Sequence, residues 1–259
     1  MLAQQRQEAI LQRVRATGGV RVSELATEFG VSDMTIRRDL DVLAERGLLA
    51  KVHGGATSAP PGATDEPGFA AKSARQRAEK TAIAGRAARL VTPGMAVALS
   101  AGTTTAELAH RLAGIAGLTV VTNSIPVAEI LHRSGRPDQT VVLTGGVRTP
   151  SDALVGPVAV AAIRSLHLDL VFLGVHGMTE RAGFSTPNLL EAETDRALVD
   201  AAERLVVLAD HTKWGTVGIS SIAPLAGAHT VVSDDRLAEE ARQTLRDHVT
   251  ELVLAEVGE

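Results

Sequence analysis

Two adjacent arginines, Arg37 and Arg38, follow closely on Ser32, a residue type that caps helix starts. Guanidinium groups early in a helix can pair with guanine or grip phosphate through two bonds at once. Met34 and Thr35 share those first turns, and Lys51 and His53 fall in a strand and turn that follow. A second set is Ala101-Gly102-Thr103-Thr104-Thr105. Glycine lets backbone N–H groups approach an anion, the helix start offers free donors and a positive dipole end, and three hydroxyls add donors. No Gly-Lys-Ser/Thr follows, so nucleotide triphosphate hydrolysis is not expected. The same residues also suit an ordinary capped strand-to-helix turn. Glu107-x-x-His110 has the spacing of one half of a di-iron site, but a second copy is missing, so it reads as an exposed helix face, and no metal and no cofactor are expected.

The elements around the arginines read as a small helical head. A first helix runs from Gln4 to Ala16, burying Ile10, Leu11 and Val14, and ends at Gly18 and Gly19. Ser23 is placed to cap a second helix with Val22, Leu25, Ala26 and Phe29 on its apolar side, and Gly30 to end it. Ser32 opens the third, where Val31 and Ile36 can staple the entry and Ile36, Leu40 and Leu43 face inward. This spacing leaves Asp33, Met34, Thr35, Arg37 and Arg38 exposed. Leu48 to Val52 with His53-Gly54-Gly55 reads as the wing of a winged helix, whose second motif helix lies in the DNA major groove. Glu24, Glu28, Asp39, Asp41 and Glu45 offset much of the basic charge, so tight DNA binding should need two or more heads.

With 259 residues, the chain suits two unequal domains. It is 45% hydrophobic but only 2% aromatic, which makes the core aliphatic, and zero cysteines exclude disulfides and fit the cytosol. No apolar run of about 18 residues and no signal-peptide order occur, so no membrane association is expected. Residues 58–68 are rich in Pro, Gly and small polar groups and read as a linker between 1–57 and 69–259. Beyond it, apolar β-branched runs at 95–99, 118–121, 140–143, 169–175, 205–209, 230–232 and 252–254 alternate with helices. The helices fall at 73–90, 104–112, 126–132, 155–165, 189–203 and 237–246. This is the pattern of an α/β fold with a mostly parallel sheet. Small polar groups and glycines follow the strands, at the edge where such sheets bind ligands.

The head resembles the N-terminal domain of the DeoR family of bacterial transcription regulators. The shared run is Val31-Ser32, Thr35-Ile36-Arg37-Arg38-Asp39-Leu40, Gly47-Leu48, Lys51 and His53-Gly54-Gly55-Ala56, with Lys51 where Arg is more usual. The rest is similar to the family's sensor domain at Glu79-Lys80, Leu99 to Ala109, Thr119 to Ser124, Thr144-Gly145-Gly146, Gly156-Pro157, Phe172 to Gly174, Gly183-Phe184 and Leu208 to Asp210 with Lys213. The resemblance implies a sensor domain folded like sugar-phosphate isomerases. It also implies a phosphorylated sugar or polyol effector near the Gly-Thr-Thr-Thr turn, Lys213 facing the ligand, and a homo-oligomer, dimer or tetramer, on operator DNA.

The expected DNA-binding residues are Ser32, Met34, Thr35, Arg37, Arg38, Lys51 and His53. The expected effector contacts are Ser100, Gly102, Thr103, Thr104, Thr105, Asn123, Gly145, Gly146, His176 and Lys213. Three departures touch the sensor: Ser100-Ala101 replaces Asp-Ser, His211-Thr212 replaces Ser-Ser, and Asp195 stands where Lys is common. The overall expectation is a cytoplasmic repressor of a carbohydrate or polyol operon, with no catalytic residues. The competing reading is an isomerase-like enzyme with an appended DNA-binding domain. Against it, the loop Gly174 to Gly177 lacks the carboxylate an isomerase needs, leaving only His176 as a possible base.

Overall fold

Helix α1 (Ala3–Thr17) stops where Gly18 takes φ 78° and donates to the carbonyl of Val14. Gly18 alone makes the stop, because Gly19 opens strand β1 (Gly19–Arg21), which the hydrophobic pattern was too short to reveal. The chain then enters α2 (Val22–Phe29) directly. Ser23 was expected as its cap, but Arg21 holds that position without a side-chain bond. The first free N–H, that of Val22, is instead taken by the Gly54 carbonyl at 2.9 Å, so no hydroxyl is needed. Ser32 caps α3 (Asp33–Glu45), accepting from the Thr35 N–H. Strands β2 (Leu49–Val52) and β3 (Gly55–Ser58) complete an antiparallel sheet in the order β1-β3-β2. Gly55 is sterically required, since a Cβ there would come 2.0 Å from the Val20 carbonyl oxygen.

This computed structural model describes residues 2–46, 48–52, 54–58 and 68–258. It divides into two compact units, Met1–Gly62 and Ala63–Glu259. Ser58, expected in the linker, closes β3 opposite Leu49, and 59–67 lie outside the described residues. The first unit packs Ile10, Val14, Leu25, Ile36, Leu40, Leu43 and Leu49 into its core, while Leu11 is half-buried at its margin.

In the second unit α4 (Phe69–Ser73) and α5 (Arg77–Ala87) replace the single helix expected over 73–90. The break falls at Gln76, whose φ of 48° is left-handed. A 3-10 turn, Ala88–Leu90, ends the segment. There follow β4 (Ala96–Leu99), α6 (Thr103–Leu112), β5 (Thr119–Thr122), α7 (Ile125–Ser134) and β6 (Thr140–Leu143). Next come β7 (Val147–Arg148), β8 (Leu154–Val155), α8 (Pro157–Ile163), β9 (Leu168–Gly174), β10 (Gly177–Thr179) and β11 (Gly183–Thr186). The chain ends with α9 (Leu189–Asp200), β12 (Ala202–Leu208), β13 (Ser220–Ala223), β14 (Thr230–Asp234), α10 (Glu239–His248) and β15 (Glu251–Ala255).

The seven expected strands form one sheet, ordered β15-β14-β12-β9-β4-β5-β6, and every pair is parallel. Helices cover both faces, as right-handed parallel crossovers require. One core joins Ile83, Leu108, Leu112 and Val127 of α5 to α7 with Val97, Leu99 and Phe172. The other joins Ile163, Leu198 and Leu245 of α8 to α10 with Ala98, Val171 and Val207. Two residues expected at helix ends fall in strands instead: Val155 belongs to β8, and Glu203 lies within β12.

Candidate functional site

Helix α3 turns Ile36, Leu40 and Leu43 into the head core. The 3.6-residue period therefore leaves Met34, Arg37 and Arg38 exposed. Neither arginine has an ion-pair partner among the described residues. Thr35 is half-buried, and its hydroxyl lies 3.0 Å from that of exposed Ser32, so the two share a bond at the helix start. Lys51 is not a free cation: it pairs with Asp41 of α3 across an exposed surface. His53 lies outside the described residues.

Asp39, counted from sequence among the acids that offset the basic charge of the head, is buried at 4% exposure. Its carboxylate receives Arg6 Nε at 2.6 Å and Gln7 Nε2 at 3.0 Å, both from α1. A charge facing inward at position 39 follows from its place three residues after Ile36, a signal that was available in the sequence.

In the second unit, the carboxyl ends of β4, β5, β9 and β12 bring the expected effector residues to one edge of the sheet. Several of them brace that edge. Ser100 is buried, and its hydroxyl accepts from the Gly174 N–H at 3.0 Å. Asn123 accepts from the Ala101 N–H at 2.9 Å and donates to the Leu154 carbonyl at 3.2 Å. Thr105 is buried, its hydroxyl 2.7 Å from the Ser100 carbonyl oxygen and 2.9 Å from that of Gly102. The expectation of three threonine donors is thus reduced to two, Thr103 and Thr104. Gly102 is extended, and a Cβ there would sit 3.2 Å from Thr105 Oγ1.

Gly145 and Gly146 both have positive φ. A Cβ on Gly146 would approach the Val155 carbonyl oxygen to 2.6 Å, so this glycine lets β7 and β8 close. His176 is half-buried and donates its N–H to the Ser185 carbonyl at 3.1 Å. Lys213 ends a 3-10 turn, His211–Lys213, and is half-buried. Its neighbours are engaged: Thr212 bonds to buried Asp210 through both N–H and hydroxyl. His211 Nδ1 lies 2.8 Å from Asp234 Oδ1.

The residue that sequence reading missed is Lys80 of α5. It was quoted beside Glu79 as a shared pair, but a lysine in a helix reads as solvated. Instead it is 5% exposed and lines a cavity of about 210 Å³ together with Phe69, Ser73, Thr103 and Glu107. Its ammonium donates to the carbonyls of Lys72 and Arg75, each at 2.5 Å. Burial pushes its pKa down to about 8, with Lys213 and Lys72 acting in the same direction against Asp210 and Glu107. Glu79 is buried too and pairs with Arg236 at 2.6 Å. A larger groove of about 1070 Å³ follows the outer face of α5, lined by Arg77, Arg86, Arg89 and Arg111, and none of the expected residues faces it. Glu107 is half-buried and His110 exposed. Among the described residues no group of three His, Cys, Asp or Glu could hold a metal, and no helix is long and apolar enough to cross a membrane.

An arginine-bearing helix beside a three-stranded wing sheet, followed by a parallel α/β unit, is the arrangement of a DNA-binding transcription regulator of two parts. Residues 6–61 match the DeoR-like helix-turn-helix domain, and residues 75–235 match the DeoR C terminal sensor domain. The chain belongs to the DeoR family. It is 36% identical to the uncharacterized HTH-type transcriptional regulator YgbI of Escherichia coli (strain K12), over 98% of this chain and 99% of that protein. It is 33% identical to the putative aga operon transcriptional repressor of Escherichia coli O157:H7, over 98% and 94%. The glycerol-3-phosphate regulon repressor of Escherichia coli (strain K12) is 30% identical, over 96% and 98%. Among solved structures, ribose 5-phosphate isomerase A of Methanocaldococcus jannaschii aligns at 17% identity and a TM-score of 0.38, over 52% of this chain and 53% of that one.

Proposed function

We propose that this regulator is a cytoplasmic repressor of a carbohydrate or polyol operon, released from its operator by a phosphorylated sugar or related metabolite. The observation that carries the reading is the pairing, in one chain, of unpartnered Arg37 and Arg38 on α3 with a strand-end cavity beside Thr103. The similarity to the putative aga operon repressor and the glycerol-3-phosphate regulon repressor supports the same class of pathway. Ser32, Met34, Thr35, Arg37, Arg38, Lys51 and His53 face the operator in this reading. Gly102, Thr103, Thr104, Gly145, His176 and Lys213 meet the effector, its anionic group at the start of α6. Ser100, Asn123, Thr105 and Gly146 hold that edge in shape. No catalytic step is assigned in this reading. The protein acts as a homo-oligomer, dimer or tetramer, because linking two heads raises avidity by roughly 10²–10⁴.

The test begins with a thermal-shift screen of phosphorylated metabolites, because a ligand of the native state raises Tm. Duplexes selected by the protein itself then serve in fluorescence anisotropy. The compound that raises Tm should weaken DNA binding by roughly 5–150-fold. Arg37→Ala or Arg38→Ala should lose about 1–3 kcal/mol of binding without loss of folding. Turnover of that compound with no change in DNA affinity would overturn the reading in favour of an enzyme.

A further inference from the structure

Lys80 differs from the other cations of the second unit in what holds it. It is buried, yet among the described residues its bonds are to two neutral carbonyls, those of Lys72 and Arg75. No carboxylate pairs with it among the described residues. A desolvated ammonium hydrogen-bonded to carbonyls alone lacks its best partner, because a bond to an oxyanion is roughly twice as strong. The charges within reach are Lys72 and Lys213, which repel it, and Asp210 and Glu107, which attract it. Lys80 and Thr103 border the same cavity, with Glu107 also in its wall, so an anion bound there at the start of α6 shares the cavity with this ammonium.

The two carbonyls belong to the turn between α4 and α5. That turn holds Gln76 at φ 48° and ψ 44°, and Gln76 and Asp152 are the two left-handed residues other than glycine among those described. Helix α4 has other tethers in the loop 149–152: the Phe69 N–H donates to the Pro150 carbonyl at 3.2 Å, and Lys72 Nζ to Ser151 Oγ at 2.7 Å. Strained backbone of this kind persists only while its surroundings hold it. In the chain, α4 is the first described element after residues 59–67, which join it to the DNA-binding head.

We propose that Lys80 couples the effector cavity to α4: its ammonium exchanges the carbonyls of Lys72 and Arg75 for a bound phosphoryl group, and the segment 69–76 is thereby released. The proposal rests on the strand-end cavity being the effector site. It gives the anion a route to the chain that leads into the head, by a differential contact in two states.

Hydrogen–deuterium exchange on the full chain tests it, with inorganic phosphate as the probe, sodium chloride at equal ionic strength as the control, and Tm measured alongside. Phosphate should raise Tm and speed exchange over 69–76 by roughly ten- to a hundredfold, the weight of one bond to a charged group. Lys80→Met should exchange fast over 69–76 without phosphate and show no further change, while Lys80→Arg restores part of the response. A rise in Tm with 69–76 unchanged or slowed overturns the coupling and leaves the effector site standing. No rise in Tm removes the site reading and the coupling with it. Slow exchange in phosphate-free Lys80→Met also refutes the clamp, and the wild-type arm decides even if neither variant folds.

Discussion

Asp39→Ala should unfold the DNA-binding head while leaving the second unit intact. The side chains of Arg6 and Asp39 are 9% and 6% exposed and meet at 2.6 Å, joining α1 to α3. Removing one partner of a buried pair costs about 3–5 kcal/mol, because the other charge stays desolvated. Gln7 loses its acceptor as well. A unit the size of residues 1–62 has a total stability of roughly 3–9 kcal/mol at ordinary values per residue. The loss is therefore comparable to everything holding the head together. Operator binding should vanish although Asp39 lies on the inner face of α3 and cannot touch DNA. The two units can be followed separately, because the chain's single tryptophan, Trp214, reports on the second unit alone. In Asp39→Ala its fluorescence transition should stay in place while exchange protection across α1, α2 and α3 collapses. Replacing both charges, as Arg6→Met with Asp39→Leu, should recover most of the protection, since apolar substitutes for a buried pair are often neutral or stabilising. Head protection and operator affinity equal to wild type in Asp39→Ala would refute the reasoning. So would a double variant no more stable than the single one.

Thr105→Val keeps the shape of a buried side chain but removes the donor shared by two carbonyls; it should cost about 1–3 kcal/mol in urea unfolding, whereas Thr104→Ala should cost less. Gly146→Ala adds a methyl 2.6 Å from the Val155 carbonyl oxygen at φ 123°, and thermal unfolding should show a loss of about 2–4 kcal/mol. Asp195 has its pKa raised well above the ordinary carboxylate value, first by burial and then by Glu191. The native state then binds a proton that the unfolded chain has released, so stability falls as pH rises from the ordinary carboxylate range through the raised native value. Asp195→Asn, neutral at every pH, should be the more stable protein at neutral pH, and its advantage should shrink toward the acid side, as paired melting curves would reveal.

Why some elements could be read from sequence and others could not follows from what surrounds them. The inner strands of the parallel sheet are buried on both faces, which demands unbroken apolar runs such as Leu170 to Leu173, whereas the edge strand Thr140–Leu143 is largely exposed and was legible from its β-branched run alone. Strands β7, β8, β10, β11 and β13 have two to four residues each and carry no such run. Arg37 and Arg38 were legible because helix phase fixes them once Ile36 and Leu40 point inward. Phase alone could not sort Thr103 from Thr105, since the difference lies in which hydroxyl finds the carbonyls of Ser100 and Gly102. Ser23 and Lys80 failed for tertiary reasons. The wing turn supplies the acceptor that made a cap unnecessary, and α4 folds its carbonyls over a lysine that would otherwise be solvated.

Two of the three departures from the family pattern, Ser100-Ala101 and His211-Thr212, share a physical meaning. Ser100 spends its hydroxyl on the Gly174 N–H, and Ala101 beside it offers no side-chain donor or acceptor at all. Thr212 is turned to Asp210 and His211 to Asp234. Each change takes a polar group out of play at the strand ends without adding a carboxylate that could accept from a sugar hydroxyl. What is left facing the proposed site is Lys80, Lys213, the hydroxyls of Thr103 and Thr104, and the backbone donors at the start of α6. Lys72, Lys80 and Lys213 stand against Asp210 and Glu107, so this cluster carries a surplus of one positive charge before any ligand arrives. A phosphoryl group offsets that surplus, while Glu107 is a carboxylate in the cavity wall that can accept from a hydroxyl. In the proposed reading the chemistry of this edge is therefore chiefly recognition of the ligand's anion.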